Sequence, residues 1–224
     1  MYRLVTKTSE KWKRKSGEMD KLNTSCLFET EDIYGFPEVE TSENFRAEDL
    51  EGFHLAKNTS KYNKRNAVHF FLDDYKFEQI WTRPKDFVRL FSEEYAGIIS
   101  PTFSIWSNQP FALNLFNMYR SRWIARYYQE WGIPVLIDVR WSDEDSYSYC
   151  FNAIKKNSPV IVNTVGTFYL DNRKMFVKGF EEMLRKIEPR KLYVYGEHMP
   201  VQFDKYFDEV IYYESFWKKR RKEM

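Results

Sequence analysis

The chain has 224 residues, 43% of them apolar, with 35 Lys and Arg against 33 Asp and Glu, three His and two Cys. A chain this long buries roughly 70% of the surface its unfolded form exposes, so it needs no disulfide or metal staple; Cys26 and Cys150 stand apart, without CxxC or metal-ligand spacing, and a structural zinc site is not expected. No apolar run approaches the roughly 18 residues of a membrane span, and the N-terminus has no signal-peptide core, so an intracellular protein with reduced thiols and no membrane partner is expected.

The formal charge of +2 is unevenly spread. Residues 1–15 carry +5 through Arg3, Lys7, Lys11, Lys13, Arg14 and Lys15 against Glu10, and residues 216–224 carry +4 through Lys218, Lys219, Arg220, Arg221 and Lys222 against Glu223, which leaves −7 on the body between them. The basic clusters Lys11–Lys15 and Lys218–Lys222 are where a nucleic acid would be held, if they are more than solvated tails.

From Met1 to Asn66 the sequence is polar and weakly periodic, broken by Ser25–Phe28, Ile33–Pro37 and Gly52–Ala56, and reads as an irregular arm that packs on the body at its aromatic residues. After Asn66 short apolar runs begin: Ala67–Leu72, Ala96–Ile99, Pro134–Val139, Pro159–Val162, Lys191–Tyr195 and Glu209–Tyr213. They are rich in β-branched and aromatic residues, and most are apolar on both faces, as parallel strands covered by helices must be. Between them lie helical periods. Pro110 opens one helix, with Ala112, Phe116, Tyr119, Trp123 and Tyr127 on one face and Gly132 beyond its end; Phe176, Phe180, Leu184 and Ile187 mark another, which stops at Pro189.

Alternating strands and helices predict an α/β fold with a mainly parallel sheet of about six strands, either a half-barrel or barrel-like arrangement or an open doubly wound sheet. The expected divisions are an arm at 1–66, an α/β domain at 67–215 and a basic tail at 216–224. For every one of these sheets the functional loops lie at the C-terminal ends of the strands.

The glycine-rich GxGxxG and GxxxxGK[ST] motifs and the GxSxG elbow are absent, so chemistry must come from polar residues at the strand ends. Asp73 and Asp74 follow the first strand, Ser100 and Ser104 the second, Arg140, Trp141 and Asp143 the third, Thr164 and Gly166 the fourth, and His198 the fifth. Asp73, Asp74 and Asp143 are the acid–base candidates, or ligands for a divalent cation such as Mg²⁺, although helix capping is the commoner task of such residues. Asp138 stands inside an apolar strand run, where a carboxylate needs a partner such as Arg140 or a place at the rim. On the Pro110 helix, Asn114, Asn117 and Ser121 form a polar stripe beside Arg120 and Arg122, which are candidates for phosphate. His69 reads as a core residue.

Several segments together, FFLDDYKFEQIW at 70–81, ISPTFS at 99–104, NMYRSRW at 117–123, VRWSDEDSYSYCF at 139–151 and NTVG at 163–166, resemble a phage- and prophage-encoded family known as the domain of unknown function DUF4417. The resemblance covers about residues 67–200 and implies a setting in a bacterial host cytoplasm, with no reaction attached. The family pattern carries Asp where this chain has Thr102 and Pro where it has Asp138, which sets Asp138 apart as particular to this chain. The expectation is an enzyme acting on a nucleotide or nucleic acid at the rim; the alternative is a non-catalytic phage protein that binds DNA, RNA or a host protein, in an accessory or anti-defence role.

Overall fold

A computed structural model describes residues 21–43 and 45–223; the basic cluster Lys11–Lys15 lies outside them. Seven strands form one all-parallel sheet in the order β1-β2-β3-β4-β5-β6-β7: β1 Leu50–Gly52, β2 Ala67–His69, β3 Gly97–Ile99, β4 Val135–Asp138, β5 Val160–Asn163, β6 Leu192–Tyr195 and β7 Val210–Tyr213. The six expected runs each supply a strand. The seventh, β1, comes from within the polar N-terminal stretch and pairs with β2 in the register Leu50 to Ala67 and Gly52 to His69.

Because the spatial order follows the chain without reversal, there is no switch point of the kind a doubly wound sheet requires. The sheet curls into a half-barrel. Side-chain alternation divides it into two apolar layers. Val68, Ile98, Val135, Ile137, Val160, Val162, Leu192 and Val194 face the helices in the larger core. Leu50, Ala67, Ile99, Leu136, Ile161, Tyr193, Tyr195 and Tyr213 fill the concave side, where long tyrosines span the trough. The outer strands are bridged by side chains rather than by a strand ladder: Tyr213 donates its hydroxyl hydrogen to the Ala47 carbonyl at 2.9 Å.

The crossovers include short helices α1 (Phe53–Ala56) and α2 (Gln79–Thr82) and the long helices α3 (Phe111–Glu130) and α4 (Leu170–Ile187), and the chain ends in α5 (Phe216–Glu223). The expected α4 face is buried through Phe176, Phe180 and Ile187, and the helix ends at Glu188 in the left-handed region, directly before Pro189. Helix α3 departs from its expected face. Trp123 and Tyr127 are buried, but Ala112 and Phe116 are exposed, whereas Asn114, Asn117, Arg120, Ser121 and Arg122 turn inward. Carbonyls of the β3–α3 loop need donors there, and the polar stripe supplies them: Asn114 bonds both backbone groups of Trp106, Asn117 donates to Ser104 O at 2.5 Å and Ser121 to Pro101 O at 2.7 Å.

The segment before β1 packs on this body, with Phe36, Val39 and Phe45 buried and the Trp123 indole donating to Cys26 O at 2.8 Å. Gly97 is required where β3 passes the chain entering β4: its φ is +147°, and an added Cβ would lie 2.3 Å from the Pro134 carbonyl oxygen.

Candidate functional site

The loops leaving the C-terminal ends of the strands enclose a cleft of about 810 Å³ at the mouth of the half-barrel. Phe71, Trp141, Tyr195 and Phe216 form apolar walls, and Trp106 and Trp217 stand on the lip, 59% and 62% exposed. The floor is polar, with Asp138 and Asn163 at the ends of β4 and β5 and Thr102 beside them. Lys76 and Arg220 bring positive charge to the edge.

Asp138 occupies the last position of β4 on the concave side and is 1% exposed. Its backbone N–H donates to Ser100 Oγ at 2.8 Å, and its Oδ2 accepts from the Arg140 guanidinium at 2.8 Å. Oδ1 has no hydrogen-bond partner. A buried carboxylate oxygen left unpaired is costly, so it marks a place where a ligand or solvent donor completes the structure. Burial raises the Asp138 pKa above the usual carboxylate value, against the opposing pull of Arg140 and Arg122.

Arg140 is itself locked. It donates to Phe103 O at 2.8 and 3.1 Å, to Pro101 O at 3.2 Å and to Ser121 Oγ at 2.7 Å, besides Asp138. Ser121 donates its own hydroxyl hydrogen to Pro101 O, so α3, the β3 loop and the β4 end form one hydrogen-bonded frame beneath the cleft. Trp141 is placed by the absence of a side chain at Gly179 of α4, where an added Cβ would fall 2.1 Å from the indole nitrogen.

Of the residues singled out from the sequence, Asp73, Ser104, Asp138, Arg140 and Trp141 line this cleft, with Arg220 from the C-terminal basic cluster. Asp73 is exposed and paired with Lys76 at 2.8 Å. Asp74 accepts the Ser104 backbone N–H at 3.0 Å and its hydroxyl at 2.9 Å, holding the β3 loop. Asp143 accepts the Ser146 N–H at 3.1 Å, a capping contact of the turn at 145–148. Each of the three carboxylates thus has its own separate partner. Among the described residues no three His, Cys, Asp or Glu side chains are grouped to hold a metal ion.

The cations expected at phosphate are placed in the frame instead. Arg120 pairs with Glu78 at 2.7 Å and lies 3.7 Å over the Phe103 ring, while Arg122 is fully buried and donates to Cys150 O at 2.8 Å. Asn117 joins Arg120 to Ser104 O. Ser100 and Thr164 are fully buried, Thr164 donating to Tyr195 O at 3.3 Å. Gly166, with φ +88°, turns the β5 loop, its carbonyl held by Asn172 at 3.0 Å. His198 is exposed beside Phe168, and His69 is buried in the trough with its pKa depressed to about 3 by desolvation.

Several cleft residues had no clear sequence signal. Trp106 and Trp217 lie in segments without an apolar period, and Arg220 stands out from the sequence only as one member of the Lys218–Lys222 cluster, expected at nucleic acid or as a solvated tail. The tail is helix α5, docked by Lys219 on Asp49 at 2.5 Å and on the Leu50 carbonyl at 3.1 Å. Glu214 takes Lys218 and Lys222 at 2.9 and 2.7 Å. Packing on β1 carries Phe216, Trp217 and Arg220 to the mouth of the sheet.

A parallel α/β half-barrel with a ligand-sized opening at its strand ends is the class that this fold and cleft define. The chain belongs to the DUF4417 family, a domain of unknown function, whose profile matches residues 28–214. The match therefore includes β1 and much of the segment before it, and reaches well beyond the stretch from 67 to 200 that carries the recognisable motifs. The chain is 32% identical over 221 residues to the "Gene 1 protein" of Mycobacterium phage L5, covering 97% of this chain and 94% of that protein. It is 31% identical over 223 residues to the "Gene 1 protein" of Mycobacterium phage D29, covering 98% and 81%. No solved structure matches it. Among the described residues no helix is long and apolar enough to cross a membrane.

Proposed function

We propose that the rim cleft is the ligand site of a phage-family protein acting in the host cytoplasm on a nucleotide, or on an unstacked nucleotide of a nucleic acid. One observation carries this reading: the unpartnered Oδ1 of buried Asp138 at the floor of a cleft lined by aromatic rings. A base stacks on exposed indoles such as Trp106 and Trp217. Oδ1 accepts from an exocyclic amine or a sugar hydroxyl, and Arg140 on the other oxygen holds the carboxylate plane fixed. With its pKa raised, Asp138 is also suited to take and return a proton, so it is the acid–base group of an enzymatic version of this site.

The non-catalytic alternative draws support from Asp74 and Asp143, whose oxygens are engaged with Ser104 of the β3 loop and with the Ser146 N–H rather than turned toward a substrate. Binding through the C-terminal cluster would rest on Arg220 and Arg221, since Lys218, Lys219 and Lys222 are ion-paired.

Tryptophan fluorescence of the full chain, titrated with the four nucleoside 5′-monophosphates and a short single-stranded DNA, tests the proposal, with product analysis of the same mixtures. The expected result is saturable quenching, with Asp138→Asn weakening affinity by about tenfold or more, as the loss of a hydrogen bond to a charged group does. Product formed by the wild type and not by Asp138→Asn identifies an enzyme, and binding without product identifies the binding protein. Unchanged affinity in Asp138→Asn overturns the assignment of this cleft.

A further inference from the structure

Next to the rim cleft lies a second cavity of about 380 Å³, at the seam where β1 faces α5. The two share Phe216 and Arg220 as lining, so a ligand in the cleft has this cavity as its neighbour. Arg220 is the one Lys or Arg common to both.

Its surroundings set Arg220 apart from the rest of the basic run. Lys218 and Lys222 are neutralised by Glu214, and Lys219 by Asp49, while Arg220 is exposed and has no acidic partner among the described residues. The lysine contacts fix the helix, and the helix fixes where this free guanidinium stands. A second donor waits in the same cavity. His69 is 2% exposed, and its Nδ1 accepts the Phe71 backbone N–H at 3.1 Å, so the ring proton sits on Nε2. That nitrogen lies 3.6 Å from the point a Cβ on Gly52 would occupy, and the His54 ring stands beside it, with Cε1 and Nδ1 2.9 Å from the same point. A side chain on Gly52 would meet the His54 ring before it reached His69. Two acids also line the seam: Asp49 is engaged with Lys219 and with the Leu50 N–H at 2.8 Å, and burial raises the Glu51 pKa above the usual carboxylate value.

We infer that the seam cavity is the anion subsite of the rim cleft, taking the phosphate of a 5′-phosphorylated nucleotide between the Arg220 guanidinium and the neutral His69 Nε2–H. This rests on the reading of the cleft as a nucleotide site and names its substrate class: a phosphorylated nucleotide or a 5′-phosphate end, rather than a nucleoside. The basic C-terminal run then acts through one placed cation and not as a diffuse polyanion grip, in keeping with the bidentate geometry that arginine offers a phosphate.

Adenosine, its 5′-monophosphate and its 5′-diphosphate are titrated against the full-length wild type, Arg220→Ala and Arg221→Ala at low and high salt. The expected result is that the monophosphate binds the wild type about tenfold or more tighter than adenosine. Arg220→Ala lowers monophosphate affinity by about tenfold more than it lowers adenosine affinity, which removes that preference, and Arg221→Ala, which deletes the same charge one position along, changes the preference less than about twofold. Equal affinity of adenosine and the monophosphate for the wild type overturns the inference while leaving the cleft reading intact. Equal losses in Arg220→Ala and Arg221→Ala also overturn it, since they show a general charge effect. Binding of none of the three overturns the cleft reading, and this inference with it.

Discussion

On the α3 side of the rim, the Asp74 carboxylate accepts both the N–H and the hydroxyl of Ser104, Asn114 and Asn117 hold the carbonyls of Trp106 and Ser104, and Arg122 donates to the carbonyls of Cys150 and Asn152. On the side of the cleft and its seam with α5, Asp138 Oδ1 and His54 Nδ1 are buried without partners, and Arg220 is unpaired. Both sides use carboxylates and arginines next to aromatic rings. The difference lies in where the remaining hydrogen-bond capacity goes. Polar groups whose capacity is spent on backbone carbonyls and amides shape loops; Arg120 Nε and Arg122 Nη1 also lack partners, but neither arginine lines the cleft, whereas Asp138 and Arg220 do. Residue type alone therefore does not distinguish a frame from a site in this protein, because Asp74 and Asp138 are both rim carboxylates.

Removing members of the two sides should separate stability from binding. The largest expected loss is Arg122→Ala, which empties a fully buried volume and leaves the Cys150 carbonyl without its donor; we expect about 3–5 kcal/mol in chemical denaturation. Asp74→Ala should follow at about 1–2 kcal/mol, with nucleotide affinity falling only as far as the β3 loop loosens. If Asp74→Ala abolished binding while the folded state kept its stability, the frame and the site would have been assigned the wrong way round.

Asp138→Asn should cost least, under about 1 kcal/mol, because burial already penalises the charged form. Its pH signature sharpens the contrast. The folded chain retains a proton on Asp138 that the unfolded chain releases, so this contribution to stability is present below the ordinary value of 3.8 and is lost as pH rises through the raised folded value. Denaturation followed from about pH 4 to about pH 8 should show a decline in the wild type that Asp138→Asn lacks. A wild-type profile that instead gains stability over this range relative to Asp138→Asn would mean that Arg140 dominates and the carboxylate is a structural ion pair.

The sheet was legible where burial on both faces forced an uninterrupted apolar run, as in β2 to β6; β7, half-exposed, was legible from its run of β-branched and aromatic residues, and only β5 passes its expected segment, by Asn163. Strand β1 was not legible, because Leu-Glu-Gly is short, carries a charge and is defined by its pairing with β2, a contact that local composition does not record. The buried face of α3 escaped periodicity for a related reason. Asn114, Asn117 and Ser121 face inward to serve loop carbonyls, and a period counted on apolar residues assigns such positions to solvent. The rim was the expected location of the site, and Asp138 already stood out as a carboxylate within an apolar strand. Arg220 and Trp217 reach the cleft only through the docking of α5 on β1, some 170 residues away in sequence, a distance that no motif spans.

The central claim is that the rim cleft over Asp138 is where this protein holds its ligand. A crystal structure of the full chain grown with saturating adenosine 5′-monophosphate tests it most directly. Ligand density is expected between Trp106 and Trp217, with a donor within hydrogen-bonding distance of Asp138 Oδ1. Density elsewhere on the molecule, with Oδ1 closed off by a protein side chain, would contradict it.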